Sequence, residues 1–475
     1  MRWAVSLLLF TTACSIDHTG LLPTAAEDVG PDVRLRDSGP TNSDVLVMPD
    51  VFDAGTDIPE LPDVPVVSLP MDCTVHVAVG GSDEASGEAD APLATLSAAL
   101  AMMPPVICVS EGPFEEALTV SESVFIRGGY CDGFEMLGCK TEVRAPGPRV
   151  MHIQGSGRIR VELEGLSLDT GTTDETGASS YGIQVIETEL IVRDSVIRAG
   201  DGVTGAAGGT GDEGAAGEDG GDDGRRSGGD TCTRGGTGGE TSGGPRPGAD
   251  GEGAVGDFGQ GGNAGSGGNG GGGGDGAPGA GETASGAGGG GGGGISADAE
   301  FQPVDGEIGA AGAAGGGGGG GGAGNFGVYN VGGGGGGGGC GGSGGLGGGG
   351  GGGSFGIVAF QSDVTLDGEV LVILGRGGDG GDGGPGGPGG PGGDGQSGGE
   401  AIAGRGGRGG NGGQGAPGGT GGGGQGGPAI AVFLRASSFA GTLMTEGGEA
   451  GAGGGEGGAM GAPGVVVQQR SIDVP

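Results

Sequence analysis

From Gly202 onward, glycine falls on every third position, through Gly205, Gly208, Gly211, Gly214, Gly217 and Gly220. A second run places two glycines between each of Asp379, Asp382, Pro385, Pro388 and Pro391. A third spaces Arg405, Arg408, Asn411, Gln414, Pro417 and Thr420 in the same way. Period three is neither the 3.6 of a helix nor the 2 of a strand. It is the period of an extended left-handed helix with three residues per turn.

Such a helix leaves its own N–H and C=O groups unpaired. Three readings follow. Collagen requires glycine in one frame and frequent proline in the others. The first run has no proline and the later runs carry glycine in two frames. Disordered loops are the second reading, because ordering each residue costs roughly 1–2 kcal/mol, and glycine more than most. The third is an ordered, polyglycine-II-like array whose legs bond to each other. Each bond contributes only about 1 kcal/mol, so an array needs a device that aligns its legs.

The chain has 475 residues and 141 glycines, with 20 basic against 60 acidic side chains. Its apolar content suffices for one modest core. A net charge of −40 argues against nucleic acid, which selects basic surfaces. The acidity reads as solubility, or as loose attraction for calcium-like cations or a basic partner; no other cofactor is implied.

Residues 1–13 hold one arginine and a short apolar run that ends at Thr11-Thr12-Ala13, before Cys14. This resembles a bacterial lipoprotein signal. That resemblance implies lipidation of Cys14 and, with Ser15 next, sorting to the outer membrane. Thr11 stands where that signal usually has leucine, and an ordinary secretory signal cut near Ala13 is the other reading. Residues 14–72 form an acidic, proline-rich tether. Between 16 and 72, twelve acidic residues face two arginines. As a flexible chain this tether spans roughly 40 Å.

Residues 73–199 read as the N-terminal coils of a β stack. Val75 to Val77 alternates. Gly81-Ser82-Asp83 then precedes Pro92-Leu93-Ala94-Thr95-Leu96, and strands follow at Val106 and Val124. This resembles the N-terminal signature of the right-handed parallel β-helix proteins of the pectin-lyase-like superfamily. The resemblance implies an all-β fold with a short capping helix, over which Leu93, Leu96 and Leu100 close the coil. Alternation places Ile183, Val185, Leu190, Val192 and Val196 on one side. The motif Tyr181-Gly182-Ile183 returns as Phe355-Gly356-Ile357 and Pro428-Ala429-Ile430. Each return leaves through a glycine beside an acid, at Asp201, Asp379 and Glu449. We therefore expect coils at 354–376 and 428–446, glycine-rich insertions at 200–353, 377–427 and 447–464, and a terminal strand at 465–475. The stack would then align the glycine legs. Asp379 and Asp382 could pair with Arg405 and Arg408 across two legs.

Six cysteines remain in an exported chain, which suggests disulfides. Locality suggests Cys131 with Cys139, Cys73 with Cys108, and Cys232 with Cys340, among fifteen possible pairings. No metal-ligand spacing is present. Enzymes of the β-helix superfamily cleave acidic polysaccharides with clustered aspartates, calcium and an arginine or lysine base. Arg193, Asp194 and Asp367 are the nearest equivalents, without a carboxylate trio at coil spacing. No catalytic residue is assigned, and His152 reads as structural. The apolar ninth-residue pattern of calcium-binding repeats is missing from the glycine runs, and so is a phosphate-cradling loop.

As a whole the chain resembles glycine-rich PGRS-type bacterial surface lipoproteins with a β-helix core. That resemblance implies a non-enzymatic protein anchored to the outer membrane, or otherwise secreted. Its role would be structural, adhesive or matrix-directed, with polysaccharide or surface proteins as partners. A carbohydrate-binding or polysaccharide-cleaving β-helix is the alternative.

Overall fold

In a computed structural model, residues 72–221, 293–323, 331–401, 404–455 and 458–472 are described, with shorter runs between 232 and 290. The signal segment, Cys14 and residues 14–71 of the tether lie outside them.

The chain is all-β, a parallel β-helix. Its main sheet stacks Val75–Val77, Val106–Ser110, Val124–Tyr130, Arg149–Glu164, Ser180–Arg193, Ser354–Phe360, Ala429–Arg435 and Val466–Ile472 in that order, every neighbour parallel. A second face stacks Gly112–Glu115, Thr141–Arg144, Leu166–Asp169, Val196–Ala199, Leu371–Arg376 and Met444–Glu449. A half-apolar strand cannot bury itself, so each rung is stabilised by the next, about 4.8 Å away. One aliphatic core runs up the interior from Val75 and Leu96 to Leu434.

The cap follows from the Gly-Ser-Asp and Pro-Leu-Ala-Thr motifs. Asp83 accepts hydrogen bonds from the Ala94 N–H at 3.0 Å, the Thr95 N–H at 2.9 Å and the Thr95 hydroxyl at 3.1 Å. Thr95 thereby caps helix α1, Leu96–Ala101. The free N–H groups of Leu96 and Ser97 donate to Glu116 at 2.8 and 2.9 Å, so the helix start is satisfied. Leu93, Leu96 and Ala99 are buried against the coil end, and Leu100 is partly buried.

The three apolar returns are neighbours in space, despite the insertions between them. Their register differs from the sequence alignment by two residues at the last return. Ile357 pairs with Ile183 and Val432, whereas Ile430 stands opposite Phe355. The small residues that correspond are Gly182, Gly356 and Ala431. A Cβ at Gly356 would meet Val372 Cγ1 at 2.3 Å and Ala431 O at 2.6 Å. Both strand faces are buried here, so apolar pattern alone does not fix the register. Val196 is a second correction. Asp194 adopts φ 43°, and this turn resets the phase, so Ile197 and Ala199 point inward in its place.

The outward faces of these rungs form a second core of Tyr181, Ile186, Phe355, Val358, Ile430 and Phe433. A hairpin inside the first insertion, Gly294–Ile295 with Phe301–Gln302, folds back over it. Ile295, Ala299 and Phe301 pack there. The Phe301 N–H donates to the Tyr181 hydroxyl at 2.9 Å, and Gln184 Nε2 donates to Ala299 O at 3.0 Å.

The glycine legs are ordered and leave the stack in register. The coil strands Val196–Ala199 and Leu371–Arg376 are paired neighbours. Beyond them, Gly202, Gly205 and Gly208 donate to the carbonyls of Arg376, Asp379 and Asp382, and the pattern continues to Gly220 and Asp394. Residues 331–353 return through the middle of the array. That leg bonds to residues 203–221, 233–239, 306–321, 378–396 and 407–425.

Glycine fills the frames that another backbone presses most closely; the frame of Cys340, Ser343 and Leu346 is looser, a Cβ at Gly349 lying 3.0 Å from Ala206 N, and admits side chains. A Cβ at Gly205 would lie 2.0 Å from Gly349 O, at Gly384 2.1 Å from Gly209 O, and at Gly383 2.0 Å from Gly421 O. The frame of Asp382, Pro385, Pro388 and Pro391 is exposed, and accepts side chains. On the leg 404–427 the outward frame reads Arg408, Asn411, Gln414, Pro417, Thr420, and then Gly423 and Gly426. The change comes where residues 451–454 cover it. A Cβ at Gly423 would be 1.9 Å from Gly454 O.

Candidate functional site

Arg193 and Asp367, two of the residues singled out in the sequence, stand opposite each other on a charged face of the coil. Alternation in Arg158-Ile-Arg160-Val-Glu162-Leu-Glu164 puts its charges outward on one strand. The stack then sets opposite charges side by side. Arg127 Nε meets Glu164 at 3.2 Å. Arg160 reaches Glu162 and Glu189, each at 2.8 Å. Arg193 reaches Glu162 at 2.5 Å and Asp367 at 3.1 Å. Arg158 pairs with Asp363.

Glu162 is the centre of this ladder. Its burial raises the carboxyl pKa, but the hydrogen bonds from Arg193 and Arg160, with their charges, outweigh that and hold it below its ordinary value. Arg193 shifts the opposite way. The Glu162 hydrogen bond raises it, burial opposes, and Asp367 adds to the rise. A base must give up its proton, and this arrangement tightens the Arg193 proton instead.

Arg193 and Asp367 are thus brought together, and Asp194 is not part of the pair. Asp194 sits at the corner, where its Oδ1 accepts the Glu369 N–H at 3.0 Å. His152 stands opposite Gln184 on the outer face, 3.4 Å from Gln154 Oε1. Among the described residues no group of three His, Cys, Asp or Glu side chains is placed to hold a metal ion. The ladder partners Arg160, Glu162 and Glu189 were not singled out from sequence, although period-2 charge alternation was there to find.

A groove of about 370 Å³ runs along the adjacent corner, where Lys140, Glu164 and Asp194 line it beside Leu137 and Cys139. Gly128 and Gly165 line it as well. The disulfide Cys131–Cys139 borders it, with a Cα separation of 5.2 Å. Cys73 is joined to Cys108 and Cys232 to Cys340, at Cα separations of 5.6 and 5.1 Å. The last ties the central leg 331–353 to the segment beginning at 232.

The lateral pairing of Asp379 and Asp382 with Arg405 and Arg408 is replaced by other contacts. The two legs run antiparallel: Gly380 lies against Gly424, and Gly395 against Gly409. The aspartates therefore sit at one end and the arginines at the other. Asp379 pairs with Arg376 at 2.6 Å, Arg405 with Glu400, and Arg408 donates to Gly395 O at 3.0 Å. The aspartates instead bridge along the stack. Asp379 Oδ1 accepts from the Ala452 N–H at 2.7 Å, and Asp382 Oδ1 from the Gly455 N–H at 2.8 Å.

No family model matches the sequence, and no curated protein does either. Among solved structures, a pectin methylesterase variant in complex with a hexasaccharide is 12% identical, with a TM-score of 0.20. The match covers 28% of this chain and 47% of that one. Pectin methylesterase PemA from Erwinia chrysanthemi is 11% identical, with a TM-score of 0.16, over 27% of this chain and 56% of that one. The chain spans about half the length of each. The assignment of a parallel β-helix rests on the strand register above.

Proposed function

We propose that this is a surface lipoprotein, held at the outer membrane through Cys14, whose work is structural or adhesive. The supporting observation is the use of the exposed frame. The coil serves as a template, and the insertions build a slab of backbone legs about 4.8 Å apart that presents Asp382, Pro385, Pro388, Pro391 and Asp394 to solvent in a fixed row. Short side chains on a rigid backbone lose little freedom on contact, which suits a surface that lies against a polysaccharide or another protein. The arginine pairing of Glu162, Glu189 and Asp367 supports the same reading, because those carboxylates are already engaged.

The test has two arms. Cys14→Ser should release the protein from the membrane fraction, and protease applied to intact cells should cut the wild type. Calcium-supplemented assays on acidic polysaccharides should give no depolymerisation. Turnover that is lost on Asp194→Ala or Asp367→Ala would replace this reading with an enzymatic one.

The groove favours a second reading, carbohydrate binding. Lys140, exposed and 3.7 Å from Glu142, offers a cation to a sugar acid, and the partly engaged carboxylates of Asp194 and Glu164 beside it can accept from sugar hydroxyls. Titration with oligogalacturonate would detect it, and Lys140→Ala should abolish the signal.

A further inference from the structure

The second face of the coil carries an apolar patch on its outside. On three neighbouring rungs the outward positions fall into two columns, in register. One reads Val196, Leu371 and Met444, the other Arg198, Ile373 and Glu446. The residues between them, Ile197, Val372 and Leu374, point into the coil core. Val196, Leu371, Ile373 and Met444 belong to neither apolar core, and Met444 is 41% exposed. The apolar outer face of the main sheet is covered by the hairpin at Ile295 and Phe301. Among the described residues no such cover lies on the second face. A contiguous apolar patch of this kind marks a contact surface.

The pattern is its own complement. A two-fold axis through Ile373, perpendicular to the sheet, exchanges the rungs on either side of it and reverses the strand direction. Arg198 of one copy then faces Glu446 of the other, and the pair forms twice. Two sheets pack face to face about 10 Å apart, a gap that an arginine and a glutamate can bridge. Within one chain Arg198 donates only to the Ser167 hydroxyl, at 2.9 Å, and neither Arg198 nor Glu446 has an ion-pair partner among the described residues. The same axis carries Val196, Leu371 and Met444 to the other flank of Ile373. There the strands continue into Gly448, Gly375 and Gly200. Bulky side chains of one copy thus meet bare backbone of the other.

We propose that this face is the contact surface for a second copy of the chain, in a two-fold dimer centred on Ile373. The contact uses the same patch on both copies, so it closes at two. The glycine legs leave from one end of these strands. Reversed strands therefore send the two arrays in opposite directions, which keeps most of the −40 charge of each copy away from the other.

Sedimentation equilibrium of the full chain carrying Cys14→Ser is the test. The expected result is a monomer–dimer equilibrium. Arg198→Glu and Glu446→Arg should each raise the dissociation constant at least about tenfold, because each sets like charges opposite each other twice. Mixing these two variants should restore the dimer, since both contacts then join opposite charges. A folding defect in either variant could not produce that recovery. Leu371→Asp should leave a monomer with circular dichroism unchanged. A monomer at every concentration, polymers beyond two, or a dimer indifferent to these changes would overturn the proposal. So would weakened single variants that mixing does not restore.

Discussion

Arg376 and Asp201 are 175 residues apart, and the Arg376 N–H donates to Asp201 Oδ1 at 2.7 Å. At the far end of the same two legs, the Asp394 N–H donates to Asp219 Oδ1, also at 2.7 Å. Between them, the outward frame of the second leg is Asp379, Asp382, Pro385, Pro388 and Pro391. Proline has no N–H to satisfy. In this frame an aspartate one leg earlier accepts the N–H groups of Arg376 and Asp394, and proline removes those at 385, 388 and 391. Asp201→Ala and Asp219→Ala should each cost about 1 kcal/mol. Amide exchange should accelerate at Arg376 in the first and at Asp394 in the second, and at neither site in the other variant.

Pro388→Ala tests the same logic from the opposite side. Its side chain is exposed, so little packing is lost. The unfolded chain gains freedom, worth about 0.4–1 kcal/mol. Thermal unfolding should show that small decrease and no more.

Glu162 makes the fold sensitive to acid. Its carboxyl pKa is lowered in the folded state from about 4.5. A lowered pKa contributes stability that is present above the unfolded value and lost as pH falls through the folded value. Urea midpoints should therefore fall below about pH 4.5, and Glu162→Gln should flatten that part of the profile. At neutral pH the same change should destabilise, because Arg193 and Arg160 lose a shared partner.

The coil and the glycine period could be read from the chain because each is a repeat that local physics enforces. Position within the array could not. Gly202 to Gly220 carries glycine in one frame, 377–393 in two, and 331–353 in nearly three, and the number reports how many backbones press on that leg. The sequence shows the count, but only the packing shows its meaning. Arg405 and Arg408 were misassigned because leg direction has no local signature. The hairpin at Ile295 and Phe301 was missed because two apolar residues in a polar insertion look incidental until the outer face of Phe355 needs covering.

Reduction should loosen the array before the coil. Cys232–Cys340 closes a loop of sequence separation 108, for which the chain-entropy argument gives about 4–5 kcal/mol. Cys340 lies in a frame of the central leg that also admits Ser343 and Leu346, facing the leg 203–221. The bond thus fastens the middle of the array to the segment beginning at 232. Cys73–Cys108 and Cys131–Cys139 sit on the coil, which has its own aliphatic core. Cys232→Ser with Cys340→Ser should speed proteolysis within 222–330 severalfold and leave the melting of the coil nearly unchanged. Cys73→Ser with Cys108→Ser should do the reverse.

Gly384 offers the sharpest contrast with Pro388, four residues away on the same leg. An added Cβ at Gly384 would lie 2.1 Å from Gly209 O, a distance that two backbones must separate to relieve. Neither can move alone, since Gly384 N donates to Leu346 O, and Gly208 next to it to Asp382 O. Gly384→Ala should therefore cost at least about 1–3 kcal/mol, well beyond Pro388→Ala. Gly290, where a Cβ would meet nothing within 4 Å, should tolerate alanine. Equal melting temperatures for the Gly384 and Gly290 variants would mean that the legs are not packed backbone against backbone.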